Sequence, residues 1–219
     1  MAKPSSRGPA PGPTIIRQLA HVAGTPLPAS SPSVPDRLSE WFDWNRAVAL
    51  QSALDGRLPA ADDSIPAFDA EQQADCARTR AELATSIERM EAQLADADLD
   101  ACCRQYLTTQ RSLQAAAGRL RGRLRDMLAQ AGPAQARLAQ VDGLLEQVLG
   151  PRESFLLARI PHLLKQQADR AGDTAGNATP ASATPPHPAF VRHLQALLRS
   201  ELELRFHPID GLLAALRTH

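Results

Sequence analysis

LDACCRQYLTTQRSLQAAAGRLRGRLRDMLAQA, residues 99–131, is the stretch whose reading decides the fold. Apolar or small residues recur along it at alternating gaps of four and three: Leu99, Cys103, Tyr106, Gln110, Leu113, Ala117, Leu120, Leu124, Met127 and Ala131. Gln110 is the single polar break in that stripe. An alternation sustained this long marks one face of a long amphipathic helix, and nothing alternates at the period of two that a strand would need.

Working back towards the N-terminus, residues 69–95 carry a second helical stripe, Leu83, Ile87, Met90 and Leu94. Its phase does not join the stripe that starts at Leu99. The offset of two residues fits neither a stutter nor a stammer, so the chain breaks there. The intervening ADADLD supplies Asp98 as an N-cap, with Asp100 in the following turn to favour the helix dipole. Charge agrees with a break. Residues 69–100 hold nine acidic side chains against three basic ones, whereas residues 101–131 hold six basic against one acidic. Oppositely charged neighbours joined by a short turn predict an antiparallel helical hairpin with coiled-coil-like pairing over 69–131. Folding about residue 97 sets Asp75 and Glu71 across from the cluster Arg119, Arg121, Arg123 and Arg125.

That cluster, RLRGRLR, is the one place that invites a nucleic-acid reading. Arg121 and Arg123 fall to either side of the apolar stripe, where side chains pair across a helix seam. No aromatic residue is interleaved for base stacking, and the formal net charge of the chain is zero. Interhelical pairing is the preferred reading. Gly118 and Gly122, on the far side with Ala115 and Ala129, are expected to line a small-residue groove where a third helix approaches.

The flanks are helical too. Residues 14–23 form a short apolar helix. A longer one runs from residue 36 to 54 and contains Trp41 and Trp44, which are expected to anchor it in a small core. Helices follow at 134–149, stopped by Gly150-Pro151, and at 152–168, kinked at Pro161. A last one covers 189–216, divided at Pro208. Residues 1–13 read as a disordered Pro/Gly/Ser tail, and residues 169–188, with no apolar side chain larger than alanine, as a disordered linker. The organisation expected is a helical domain over 14–168 and a C-terminal helical segment over 189–219. Phe190, Leu194, Leu197 and Phe206 give that segment an apolar face that can fold back on the hairpin or dock on another chain. The docking alternative predicts that 14–168 stays folded without it.

A search for chemistry finds no catalytic, cofactor-binding or metal-ligating constellation. The six histidines are dispersed, and none sits in HExxH or at zinc spacing from a cysteine. Cys102 and Cys103 are adjacent, so they point to different sides of one helix. Cys103 falls on the stripe and reads as core; Cys102 reads as the more reactive thiol. There is no Gly-rich phosphate loop and no GxSxG. No run reaches the roughly 18 apolar residues of a membrane span, and the cysteine pattern fits a reducing, cytoplasmic setting. The fold class is all-α: a long antiparallel hairpin, supporting helices and a tethered C-terminal helix. The function predicted is that of a non-catalytic helical adapter with a protein partner, with a nucleic-acid-associated helical protein as the alternative and an enzyme third.

Three stretches carry a resemblance. RLSEWFDWNRAVALQSAL (37–54), DLDACCRQYLTTQRSLQAAAGRLRGRLRDML (98–128) and LLRSELELRFHPIDGLLAALR (197–217) resemble a proteobacterial family of unknown function. It has the same order of a W-x-D-W-like helix, a Y-L-x-x-Q helix ending in L-R repeats, and an E-L-x-L-R-x-x-P tail. This chain departs from it in the paired cysteines, which stand where the family tends to have proline and aromatic residues. The genes of that family often lie beside those for OmpA-like and MotA/TolQ-like envelope proteins. The resemblance therefore implies an accessory role next to an envelope complex, and it transfers no catalytic residue.

Overall fold

The computed structural model describes residues 14–23, 33–58, 64–166 and 188–218, and every regular element among them is an α-helix. In chain order these are α1 (Thr14–Ala23), α2 (Val34–Trp41), α3 (Trp44–Asp55), α4 (Ala70–Gln93), α5 (Leu99–Gln130), α6 (Pro133–Leu157), a short α7 (160–166) and α8 (Pro188–Arg217). The all-α reading holds.

Local signals start the two hairpin helices where the sequence places them. Asp69 opens α4 with a capping box: its carboxylate accepts from the N–H groups of Glu71 (2.7 Å) and Gln72 (3.1 Å), and the Gln72 side chain accepts from the Asp69 N–H. Asp98 caps α5 through the Ala101 N–H at 2.6 Å. The stripe Leu83, Ile87, Met90 and Leu94 is buried. Asp75 meets Arg123 at 2.5 Å across the turn, so α4 and α5 run antiparallel.

What the stripes did not reveal is how the hairpin is filled. α4 and α5 pack little on each other; α8 lies along both, α6 lies along the other side of α5, α1 rests on α8 and α3 on α6. α8 runs antiparallel to α4, with Arg217 bonded to Gln73, Arg80 to Asp210 and Glu203, and Gln195 to the carbonyls of Ile87 and Glu88. Being covered on two sides, α5 buries more than one stripe. Cys102, Thr109 and Ala116 are buried along with Tyr106, Leu113 and Leu120. The C-terminal segment folds back, since its side chains share one apolar cluster with those of α1, α4, α5, α6 and α7. The tail 1–13 and the linker 169–188, except its last residue, Pro188, which opens α8, lie outside the described residues.

Three helix boundaries differ from expectation, the first for a local reason and the others for tertiary ones. The expected helix over 36–54 breaks at Phe42–Asp43, because Asp43 caps α3 through the Arg46 N–H at 2.9 Å. α6 does not stop at Gly150-Pro151. It runs through Pro151 because it pairs with α5 on both sides of it, through Asp142–Arg121 and Ser154–Gln114. It ends at Leu157, and Pro161 sits in the first turn of α7, where its missing N–H would have no partner anyway. α8 likewise runs through Pro208, since Leu202 and Phe206 before it and Ile209 and Leu213 after it stay buried together.

Two glycines differ in what their positions demand: the backbone requires one and nothing nearby requires the other. Gly132 joins α5 to α6 at φ 145°, a region that L side chains rarely adopt. Gly118 was expected beneath a third helix, but a Cβ there would meet nothing within 4 Å. Opposite outcomes are expected from one substitution. Gly132→Ala should lower folding stability by about 1–3 kcal/mol, and Gly118→Ala should raise it by about 0.5–1 kcal/mol through helix propensity. Urea unfolding of the two variants reads both.

Candidate functional site

Gln110, the polar break in the α5 stripe, lies 5% exposed and donates from Nε2 to Oε2 of Glu201 on α8 at 2.8 Å. Glu201 is fully buried. Its other oxygen accepts from Nε and one terminal nitrogen of Arg205 at 2.9 and 2.7 Å, one helical turn further on. Arg205 also reaches Glu153 of α6 at 3.2 Å, in a charge contact that lacks hydrogen-bond geometry. Burial pushes the Glu201 carboxyl above the usual carboxylate range, against the pull of Arg205 and Gln110. Tyr106, one turn before Gln110, is fully buried, and its hydroxyl has no hydrogen-bond partner among the described residues. Burial and the Glu201 charge raise that phenol above its ordinary value.

This cluster borders a groove of about 780 Å³ between α5, α6 and α8. Gly118 and Ala117 line its α5 side, Glu153 and Pro151 its α6 side, and Arg205 and Pro208 its α8 side. Of the small residues expected to meet a third helix, Gly118 therefore opens on a cleft, while Gly122, Ala115 and Ala129 do not line it. At one end Arg121 grips Asp142 with two bonds, at 2.8 and 2.7 Å, and Arg125 bonds both Asp142 and Glu146.

The arginine cluster thus divides between two neighbours. Arg123 pairs with Asp75 of α4, as the hairpin predicts. Arg121 and Arg125 face α6 instead, because they fall on the opposite side of the apolar stripe. Arg119 is exposed. Phe190, Leu194, Leu197 and Phe206 are 8% exposed or less, inside the chain's own core. The tryptophans do not form the small core expected of them. Trp44 is 81% exposed, because the break at Asp43 turns it outward, and Trp41 is half-buried under the Arg152 guanidinium, 5.1 Å from its ring centre. The cysteine roles are exchanged as well. Cys102 is fully buried with its thiol pushed up, and Cys103 is half-buried with its sulfur 3.7 Å from the Pro161 carbonyl.

Sequence reasoning singled out Gln110 but missed Glu201, Arg205 and Glu153. A charged pair at i and i+4 inside α8, among its many buried apolar side chains, was the available signal. Among the described residues, no group of three or more His, Cys, Asp or Glu side chains could hold a metal ion, and no helix is long and apolar enough to cross a membrane.

Residues 1–218 match the model of a family described as "Protein of unknown function (DUF3348)". The chain belongs to this family. An uncharacterised family covering nearly the whole chain is what the resemblance implied at that level. No curated protein and no solved structure matches it. The cluster and groove of this DUF3348 chain therefore have to be read from their own geometry.

Proposed function

We propose that this protein is a non-catalytic helical interaction protein that meets its partner through the outward faces of α3, α6 and α7. The observation that carries this reading is a set of large apolar side chains left in solvent: Trp44 (81%), Phe155 (66%), Leu156 (63%) and Leu163 (51%). Such side chains are what a docking surface exposes, and α3, which carries Trp44, packs on α6, which carries Phe155 and Leu156. Arg152, Phe155 and Leu156 follow an i, i+3, i+4 pattern and share one face of α6, and Arg159 lies in the turn that follows it. The Arg159 guanidinium lies 5.8 Å from the Phe155 ring centre, and stacking leaves the edges of a guanidinium free to donate. The stretches outside the described residues contain only Met1 and Leu27 as large apolar side chains, so the chain has little of its own with which to cover this surface.

The nucleic-acid alternative draws less support, since three of its four arginines already face carboxylates. The sequence resemblance adds a setting for the adapter, beside an envelope complex. The test is a photo-crosslinking phenylalanine analogue placed in living cells at position 44, 155 or 156, with exposed position 82 on α4 as control. A discrete adduct from the first three sites, fractionating with the envelope, is expected. Equal labelling at 82, or no adduct from any site, overturns the proposal.

A further inference from the structure

The groove between α5, α6 and α8 has a composition that its role as a packing gap does not explain. Both prolines that interrupt long helices, Pro151 and Pro208, line it, and so do Gln147 and Leu204, the residues four positions before them. A proline inside a helix has no N–H to give to the carbonyl four residues back. Each proline therefore leaves one backbone acceptor without its helical donor, and the two residues that carry these acceptors both line the groove. A third acceptor joins them: Oε1 of Glu153 is buried and, although 3.2 Å from the Arg205 guanidinium, accepts no hydrogen bond among the described residues.

Charge points the same way. Four carboxylates sit in and beneath the groove, Asp142, Glu146, Glu153 and Glu201, against three guanidinium groups, Arg121, Arg125 and Arg205. On a formal count that leaves aside His207, which also lines the groove, one negative charge is left over. The unassigned groups that line the groove are acceptors, and the walls between them are small or apolar: Ala117, Gly118, Leu145 and Pro208.

We infer that this groove is a binding site for an organic cation with several N–H donors, an alkylammonium or a guanidinium, held by Glu153 and by the carbonyls of Gln147 and Leu204. The apolar walls take the carbon chain of such a ligand, and its charged head completes the charge balance of the cluster below. A free amine and a lysine or arginine side chain of a bound peptide share this chemistry.

Calorimetric titration of the full chain with spermidine, agmatine, and acetylated, amidated Gly-Arg-Gly and Gly-Lys-Gly tests the site. Saturable binding of one of these cations is expected, with no binding of citrate. Preference for the free amines over the peptides assigns a small-molecule ligand, and the reverse assigns a partner's side chain. Glu153→Gln should weaken binding by about tenfold, the loss of one charge-assisted hydrogen bond. Pro208→Ala separates binding from folding. It returns an N–H to the Leu204 carbonyl, so it should raise the unfolding midpoint of the free protein while weakening the cation severalfold. No saturable binding of any cation at millimolar concentration, or binding that both variants leave unchanged, overturns the assignment.

Discussion

Truncation before Pro188 is expected to abolish folding, not to release a folded domain over residues 14–168. Five α8 side chains, Leu194, Leu197, Leu198, Phe206 and Ile209, are at most 2% exposed. At about 1.5–3 kcal/mol for each fully buried large apolar side chain, they alone contribute roughly 7–15 kcal/mol. That equals the whole folding free energy of an ordinary domain, about 5–15 kcal/mol. The loss does not end with α8, because α4 and α5 pack little on each other and would both be stripped of cover. Ile87, Met90, Leu113 and Leu124, each at most 2% exposed in the whole chain, would face water. The truncated protein should lose most of its helical circular dichroism or precipitate. Restoring the missing helix as a separate peptide should rescue part of the signal. A soluble, cooperatively unfolding fragment would show that α8 is dispensable and would return it to the role of a docking element.

That outcome marks where periodicity stops being informative. A stripe states that a helix has a partner without stating which one. Leu83, Ile87, Met90 and Leu94 were legible as a buried face, and Asp69 and Asp98 as helix starts, because the signals lie within a few residues of what they determine. The charge contrast between α4 and α5 also located one true pair, Asp75 with Arg123. The partner of Gln110 was out of reach, since Glu201 lies 91 residues away on another helix. The same holds for Arg121 and Arg125, whose carboxylates, Asp142 and Glu146, lie on a helix that was read mainly for its apolar face. Prolines misled as well. Pro151 and Pro208 weaken their helices locally, yet α6 and α8 continue through them, packed on both sides, and tertiary contacts override propensity. Trp44 failed for the opposite reason. A single capping aspartate at 43 restarted the helix and turned the ring outward, although a continuous wheel had placed it beside the core.

Arg205→Met is expected to be the most damaging single substitution of a polar residue, and its cost should depend on pH. The guanidinium is the only cation bonded to Glu201 among the described residues, and Glu201 is fully buried. Removing one partner of such a pair costs about 3–5 kcal/mol, because the remaining charge is stranded without solvent. Gln110 stays to donate one hydrogen bond, and Glu153, about one-third exposed, can turn to water. Glu201 cannot. Its carboxyl already stands above the ordinary carboxylate range, with burial the largest cause and Arg205 the first of the opposing ones. Without Arg205 it rises further. A carboxyl raised in the folded state contributes stability that is full below its unfolded pKa, about 4.3, and that is lost as pH climbs through the folded value. The deficit of Arg205→Met relative to the wild type should therefore be smaller at pH 5 than at pH 7, since lower pH favours the protonated form of Glu201, which carries no stranded charge. Other carboxylates titrate alike in both proteins and cancel in that difference. In a Glu201→Gln background the same arginine substitution should cost less and show no such pH dependence, because no buried carboxylate remains to be stranded. Urea unfolding of the four proteins of this cycle at both pH values measures it. A deficit equal at pH 5 and pH 7, or one that keeps its pH dependence once Glu201 is glutamine, would mean that Arg205 stabilises the fold by packing and not by answering the buried charge.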